Sequence, residues 1–473
     1  MCGSFLLSLE KGSISILGAK LTESSLQRSY PVYAPLSHPL PVITGLKSKK
    51  SKSQNSVILL KNHDSGLGLL PNICPFCDPI FKAPSSTVTY SPQNPTFHIL
   101  FDSETPIPQT TYPLSWREAF LTISSASTPK VLICGAKGAG KSTMCQYLTN
   151  SLLRRGSVNY LETDPGQPSF TPPGLVALSH ITGPILSPSF TRTGSKEVVR
   201  CHHFGNISPR DSPRYYVDCI RNLLSQDITD SPLIINTPGW TKGTGLELLT
   251  SLIEIAMPDF VIILSVPGND TLARALHPVA QETKSHMLIV EPVEPIRPIV
   301  QLTAADLRTL SLMTYFHLIG EDKWDFDTHL TAWKPWILKY SGPPDERGVF
   351  AVAIQGEELL LEDIILAING TIVAINLVHA IDGDLQLTPE GLPVLCRRET
   401  PSIDPRDGRC VGYAVIRGID SAKGELMLLS PWGPSDIQEG ERILLERGRV
   451  NLPVWGMWNK KEPRVLGPWL QRS

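Results

Sequence analysis

The sequence predicts an α/β protein with a central, mostly parallel sheet covered by helices on both faces, flanked by a β-rich N-terminal and a β-rich C-terminal domain. Three observations predict it. Between Val131 and Leu264, short apolar strands alternate with segments of helical spacing, the rhythm of βαβ units in a parallel sheet. A glycine-rich segment, 135–142, falls between the first of these strands and the first of the helices that follow it. Towards both ends of the chain the patterning returns to strand-like runs broken by Pro and Gly, as in β-rich units. The chain of 473 residues divides accordingly into a β-sandwich-like domain over 1–112, the α/β domain over 113–345, and a third domain over 346–473.

The elements follow in order. Residues 13–21 alternate at period two over their first half, 29–43 are dotted with Pro and Tyr, and 57–60 and 96–100 are further strand signals. Lys47 to Ser53 (KSKKSKS) is a basic run, read as a solvated loop, with a nuclear-import patch as the sharper alternative. A short helix is expected from 115 with Ser115 as its N-cap. Strands are expected at 131–134, 158–161, 233–236 and 260–264. Helices are expected at 141–153, with Gly156 as the stop, at 212–224, at 246–256, ended by Pro258, and at 304–317. Residues 349–354 and 370–375 are strands of the third domain.

Composition narrows the function classes. The formal net charge of −2 argues against a general polyanion binder, so any nucleic-acid site must be a local basic groove. The 42 Pro and 35 Gly favour a turn-rich, β-rich chain. The nine Cys are scattered and odd in number, as for reduced thiols in the cytosol or nucleus. Cys74 and Cys77 form one CxxC with no second pair at zinc spacing, and are read as loop thiols. His202-His203 lacks further metal-spaced ligands and is read as structural or RNA-facing. Arg397-Arg398 and the stretch 442–449 are read as solvated faces. No basic n-region opens the chain and no uncharged apolar run approaches the ~18 residues of a membrane span, so neither a secretory signal nor a span is expected.

The chemistry concentrates in Gly135-Ala136-Lys137-Gly138-Ala139-Gly140-Lys141-Ser142, a full GxxxxGK[ST] P-loop between a strand and a helix. Its glycines let backbone N–H groups turn inward around phosphate oxygens, and the helix N-terminus adds partial positive charge. Lys141 is placed for the β- and γ-phosphates of ATP, the Ser142 hydroxyl for Mg²⁺, and the Thr143 hydroxyl for the α-phosphate. Asp164 follows a strand and is the acidic partner for Mg²⁺; Glu162, two residues earlier, shares its face. The plainer use of Asp164 is to begin a turn with Pro165 and Gly166. A GTP switch fits poorly. In Asn236-Thr237-Pro238-Gly239 an Asn stands where a switch carboxylate would be, and no guanine-reading NKxD follows, Asn459-Lys460-Lys461-Glu462 being distant and ending in Glu.

The chain resembles the Clp/Grc-type polynucleotide 5′-hydroxyl kinases. Four blocks carry the match: the P-loop with Ser142-Thr143, Asp164-Pro165-Gly166-Gln167-Pro168, Phe204-Gly205-Asn206-Ile207-Ser208-Pro209, and Asn236-Thr237-Pro238-Gly239-Trp240-Thr241-Lys242-Gly243-Thr244-Gly245. It looks most similar to the nucleolar Grc-type branch. That likeness extends to Gly12-Ser13-Ile14-Ser15-Ile16-Leu17-Gly18-Ala19, Ala304-Ala305-Asp306-Leu307-Arg308, and Leu452-Pro453-Val454-Trp455-Gly456-Met457-Trp458.

The resemblance implies a central P-loop kinase domain that moves the ATP γ-phosphate onto an RNA 5′-OH. It implies assembly with a Las-type endoribonuclease, which cuts the internal spacer of pre-rRNA and leaves that 5′-OH, and hence a place in the nucleus and nucleolus. It implies that Gln167, Ser208 and Trp240 bind substrate, Trp240 by stacking on the terminal base, a contact of about 1–3 kcal/mol. Lid arginines of such kinases hold phosphates; Arg308 is the first choice here and Arg297 the second. Lys141, Asp164 and Arg308 are then the catalytic set, with Asp164 accepting the hydroxyl proton. Asn206 and Ile207 depart from the residues common at those positions. The stretch near Ile14 is apolar, so an acidic adenine contact known in the other branch is not carried over. The 455–469 segment, rich in Trp and Pro, is read as a docking tail. An ATP-binding scaffold without turnover is the rival reading.

Overall fold

The computed structural model describes residues 1–22, 25, 28–46, 55–83, 93, 95–100, 107–226, 230–294, 297–343, 347–356, 359–379, 383–396, 403–433, 437–438 and 440–453. The basic run 47–53, Arg397-Arg398 and the expected docking tail lie outside them.

The N-terminal region is β. Strand Cys2–Lys11 pairs antiparallel with Ser29–Ala34, Val57–Asn62 and Phe97–His98. Its alternate residues Phe5, Leu7 and Leu9 enter one buried cluster, as period-two patterning requires. The expected run over 13–21 is a hairpin, Ile14–Ile16 with Ala19–Leu21. Its two-residue turn, Leu17 (φ 47°) and Gly18 (φ 82°), has the doubly positive φ that keeps a tight hairpin in register with strand twist. This turn docks on the helix Lys141–Leu152, where the Asn150 side-chain amide donates to the Leu17 carbonyl at 2.7 Å.

The central sheet runs, edge to edge, Val198–His203, Leu175–Ile181, Val158–Glu162, Leu233–Asn236, Lys130–Gly135, Phe260–Leu264, His286–Val290. From Val158–Glu162 to His286–Val290 all neighbours are parallel; the two strands beyond Val158–Glu162 are antiparallel. Strand Lys130–Gly135 shows how both faces are buried. Val131 and Ile133 enter the core with helices Leu114–Ile123 and Lys141–Leu152; Leu132 and Cys134 enter the opposite core with Pro213–Leu224, Thr244–Ala256 and Thr271–Glu282. Such strands read as continuous apolar runs because neither face meets water.

Several elements differ from the sequence expectation. Pro113 occupies the N-cap position of helix Leu114–Ile123. Ser115 sits inside the helix, and its hydroxyl instead meets the Glu291 carboxylate and backbone N–H, each at 3.2 Å. Strands Leu175–Ile181, Val198–His203 and His286–Val290, and helix Thr271–Glu282, were not expected. Cys74 joins the helical turns Leu70–Ile73 and Pro75–Cys77 and Cys77 ends the second; both thiols are free and fully buried, and burial pushes both up, Cys77 to about 12. Among the described residues no group of three or more metal-ligating side chains converges.

The C-terminal region is an eight-stranded sheet that begins with Trp336–Lys339, before residue 346. Through Ile372, Tyr413 and Val415 it packs on Leu175, Ala177 and Cys201 of the antiparallel edge of the central sheet and on Tyr315 and Phe316 of helix Ala304–Phe316. Both His residues of the 202–203 pair are structural. His202 Nε2 meets the Asn222 side chain at 2.9 Å, and His203 Nδ1 meets the Glu446 carboxylate at 2.7 Å, joining the two regions in a buried contact. At the end of strand Arg442–Arg447, Arg442 lies over the Phe350 ring. Arg449 pairs with Asp211 at 2.6 Å. No helix is long and apolar enough to cross a membrane among the described residues.

Candidate active site: a phosphate cradle with two carboxylates

The cradle forms where strand Lys130–Gly135 turns into helix Lys141–Leu152. Gly138 (φ 78°) and Gly140 (φ 96°) hold left-handed conformations that a side chain would strain, so the loop's N–H groups can turn inward. Ala136, Lys137 and Gly138 are exposed and Ala139 and Gly140 partly so; Gly140 caps the helix, leaving its first N–H groups for a ligand. Lys141 is buried and folds back, its Nζ donating to the Gly135 and Ala136 carbonyls at 3.1 and 3.0 Å. Burial lowers its pKa, opposed chiefly by the nearby Asp164. Ser142 is exposed on the first helical turn, with Thr143 beside it, half-buried.

Gly239 closes the cradle from the neighbouring strand. A Cβ there would stand 2.8 Å from the Lys137 Cα and 3.0 Å from Lys141 Nζ, so the segment after Asn236 approaches the loop as only glycine can.

The carboxylates stand at the end of strand Val158–Glu162, in parallel register with Leu233–Asn236, so that Glu162 and Asn236 are direct neighbours. The Asn236 amide donates to both oxygens of Glu162, at 2.9 and 3.1 Å. The backbone N–H groups of Asp164 and Ser169 complete the set at 3.0 and 3.1 Å. Glu162 is 1% exposed, and burial, then the charge of Asp164, pushes its pKa up to about 8. Asp164 is half-buried with one oxygen held by the Gly166 N–H at 2.9 Å. Burial raises its pKa, while the Gly166 N–H, Lys141, the Gln167 N–H and Arg308 pull it down. Asp164 therefore begins the expected turn and also faces the cradle's ammonium.

Arg308, on helix Ala304–Phe316, lines a cavity of about 210 Å³ together with Ser142, Thr143 and Gln167. Its helix starts with a capping box between Thr303 and Asp306. Arg297 is exposed and does not line this cavity.

Trp240 follows Gly239 directly. It is half-buried; its ring packs over Gly245, whose added Cβ would come within 2.4 Å of it, and the Arg210 guanidinium stands 5.4 Å from the ring centroid. Ser208 caps the turn Pro209–Asp211, accepting the Arg210 N–H at 3.4 Å. Its segment lies against the Asp164 turn, since a Cβ on Gly166 would meet the Ile207 carbonyl at 2.9 Å. Pro209 and Trp240 line one apolar recess. The fold thus gathers the P-loop, Asp164, Gln167, Ser208, Trp240 and Arg308 into one region.

Sequence reasoning missed Gly239 as the closing wall, Asn236 as the partner of Glu162, and Arg192, whose guanidinium lies 4.7 Å from the Phe170 ring and lines the same cavity. The pairing of Asn236 with Glu162 was detectable only through strand register; nothing local marks Arg192.

Comparison with known proteins follows the same outline. Residues 135–318 match the mRNA cleavage and polyadenylation factor CLP1 P-loop family. The polynucleotide 5′-hydroxyl-kinase grc3 of Schizosaccharomyces pombe is 28% identical, across 100% of this chain and 73% of that protein. The protein of the same name from Aspergillus niger is 29% identical, across 97% and 66%. GRC3 of Gibberella zeae is 29% identical, across 96% and 68%. This chain spans 66–73% of the length of these three relatives. Among solved structures, Clp1p in its complex with a Pcf11p segment superposes with a TM-score of 0.59 at 14% identity, covering 96% of this chain and 94% of that one. A second Clp1p–Pcf11p structure gives 0.57 at 15% identity, covering 96% and 95%. At that identity the likeness is one of fold.

Proposed function

For a chain that carries the CLP1-type P-loop domain and is homologous along its whole length to the Grc-type polynucleotide 5′-hydroxyl kinases, we propose that the site transfers the γ-phosphate of ATP to the 5′-hydroxyl end of a polynucleotide. The carrying observation is the convergence of one buried ammonium, Lys141, one cradle wall, Gly239, and one half-buried carboxylate, Asp164, at a glycine-rich helix start.

Each residue has a part that follows from its chemistry. Bound phosphate oxygens would compete with the Gly135 and Ala136 carbonyls for Lys141, which would then spread its charge over the β- and γ-phosphates. The amides of 135–142 would hold the same group by hydrogen bonds, and Thr143 the α-phosphate. A hydroxyl is a weak nucleophile, and Asp164, with its raised pKa, suits acceptance of its proton as the oxygen–phosphorus bond forms. Arg308 would offset charge on the transferring group. Trp240 and Ser208 would set the strand end in line, with Gln167 on the cavity wall.

The donor set also fits a divalent cation. Ser142, an exposed residue, offers a hydroxyl and Asp164 a carboxylate with one oxygen already oriented by Gly166, the hard oxygen pair that Mg²⁺ takes beside phosphates and water. Bound there, Mg²⁺ would neutralise charge on the phosphates.

The finer reading rests on the Grc-type resemblance. The acceptor is the RNA 5′-OH left in the pre-rRNA internal spacer by a Las-type endoribonuclease, which assembles with this chain in the nucleolus. The test is transfer of label from γ-labelled ATP to a 5′-OH RNA oligonucleotide, with and without that nuclease. Label on the RNA end supports the kinase. ATP binding with no label on RNA in either case would favour the scaffold reading.

A further inference from the structure

Arg192 closes the short helical turn Ser189–Thr191 between two strands of the sheet edge. Its guanidinium lies 4.7 Å from the Phe170 ring centroid, and its Nε is buried without a hydrogen-bond partner. Burial lowers its pKa to about 10, which leaves it charged at neutral pH. Tyr160, Glu197 and Glu162 lie near enough for their fields to favour its charge, and both carboxyl groups also accept hydrogen bonds from other residues. Glu162 accepts from Asn236, Asp164 and Ser169, and Glu197 from the Ser195 hydroxyl.

A buried N–H without an acceptor is costly, because it has lost water and gained no hydrogen bond in return. Arg192 nevertheless faces a cavity of about 210 Å³, not packed core. The cavity walls carry Ser142 and Thr143 from the P-loop helix, Gln146 one turn on, Gln167 after the Asp164 turn, and Arg308 from helix Ala304–Phe316. Two guanidiniums and a set of hydroxyl and amide groups, with no carboxylate among them, make an anion site. Arginine's planar fork suits phosphate oxygens in particular.

We propose that Arg192, together with Arg308, forms a second phosphate-binding position beside the cradle, where it holds a phosphate of a bound substrate. The inference rests on the kinase reading above. Two sources supply that chemistry at this place: the triphosphate, reaching in past Thr143, and the first internucleotide phosphate of the acceptor, reaching in past Gln167.

The experiment compares the full-length chain with Arg192→Met and Arg192→Lys. Methionine keeps an apolar stem over Phe170 and removes the charge; lysine keeps the charge and loses the fork. For each protein, KM and equilibrium Kd are measured for ATP and for a 5′-OH RNA oligonucleotide. In Arg192→Met one ligand's KM and Kd rise about tenfold or more, the factor a lost charge-assisted contact produces, and Arg192→Lys recovers part of it. A rise confined to ATP assigns the triphosphate. A rise confined to the oligonucleotide assigns the acceptor; an oligonucleotide whose first linkage is an uncharged methylphosphonate then binds wild type and Arg192→Met alike. Should Arg192→Met fail to fold by circular dichroism, Arg192→Gln, which also removes the charge, takes its place with the same expectation. If both ligands bind a folded variant within about twofold of wild type, the second site does not exist. If wild type binds both ligands but transfers no phosphate, while Arg192→Met still loses binding, the kinase reading falls and the phosphate site stands.

Discussion

The side-chain amide of Asn236 bridges both oxygens of Glu162, at 2.9 and 3.1 Å, across two parallel strands. The pair lies beneath the turn that presents Asp164, and Glu162 also accepts the Asp164 backbone N–H. The buried carboxyl thereby acts as a peg for the residue proposed to take the proton.

That peg makes stability depend on pH. Burial, followed by the charge of Asp164, holds Glu162 at about 8 in the folded protein, against about 4.3 in an unfolded chain. Between those values the folded state binds the extra proton, so the contribution of Glu162 to stability is full at low pH and declines as pH rises through this window. Glu162→Gln cannot titrate. The Tm of the variant relative to wild type is expected to climb from about pH 5 to about pH 8. Parallel Tm–pH curves would contradict the assignment.

Asn236→Asp puts a second acid against Glu162 and removes two donated hydrogen bonds. A cost of about 1–3 kcal/mol is expected, seen as a fall of several degrees in Tm by calorimetry. A variant as stable as wild type at neutral pH would show that the amide bridge contributes little.

Gly239→Ala drives a methyl group into the backbone of Lys137 and the end of Lys141. The wall must retreat, and the affinity for ATP is expected to fall about tenfold or more, as for loss of a charged contact. Isothermal titration measures it; circular dichroism should stay native. Unchanged affinity would remove Gly239 from the cradle.

Trp240→Ala should act on the acceptor alone. Loss of a base-stacking surface costs about 1–3 kcal/mol, roughly a 5- to 150-fold rise in KM for the 5′-OH oligonucleotide. ATP binding should stay near wild type. An equal loss for ATP would mean that Trp240 supports the cradle through its packing on Gly245 and is not a substrate contact.

The parts legible in the sequence are those written in contiguous residues. The P-loop is one run of eight residues, and its strand and helix neighbours follow from apolar spacing. Strand Leu233–Asn236 and helix Pro213–Leu224 were legible for the same reason. Val198–His203 escaped because its two histidines and an arginine hide an edge strand whose polar groups are satisfied by Asn222 and Glu446. Helix Thr271–Glu282 escaped because Pro278 lies inside it. Asn236 read only as a missing switch carboxylate; its use depends on register with a strand 74 residues away, which no local pattern encodes. Arg192 was illegible because its partners, Phe170 and the cavity, are assembled by tertiary packing.

The most direct measurement is the initial rate of label transfer from γ-labelled ATP to a 5′-OH RNA oligonucleotide, for the purified chain and for Lys141→Ala, with the Las-type nuclease supplied in parallel. The account predicts a labelled 5′ end with wild type and a rate lower by about 10²–10³ for Lys141→Ala, the usual loss when a group stabilising transition-state charge is removed. Equal rates for the two proteins, or no label on the RNA from wild type under either condition, would contradict it.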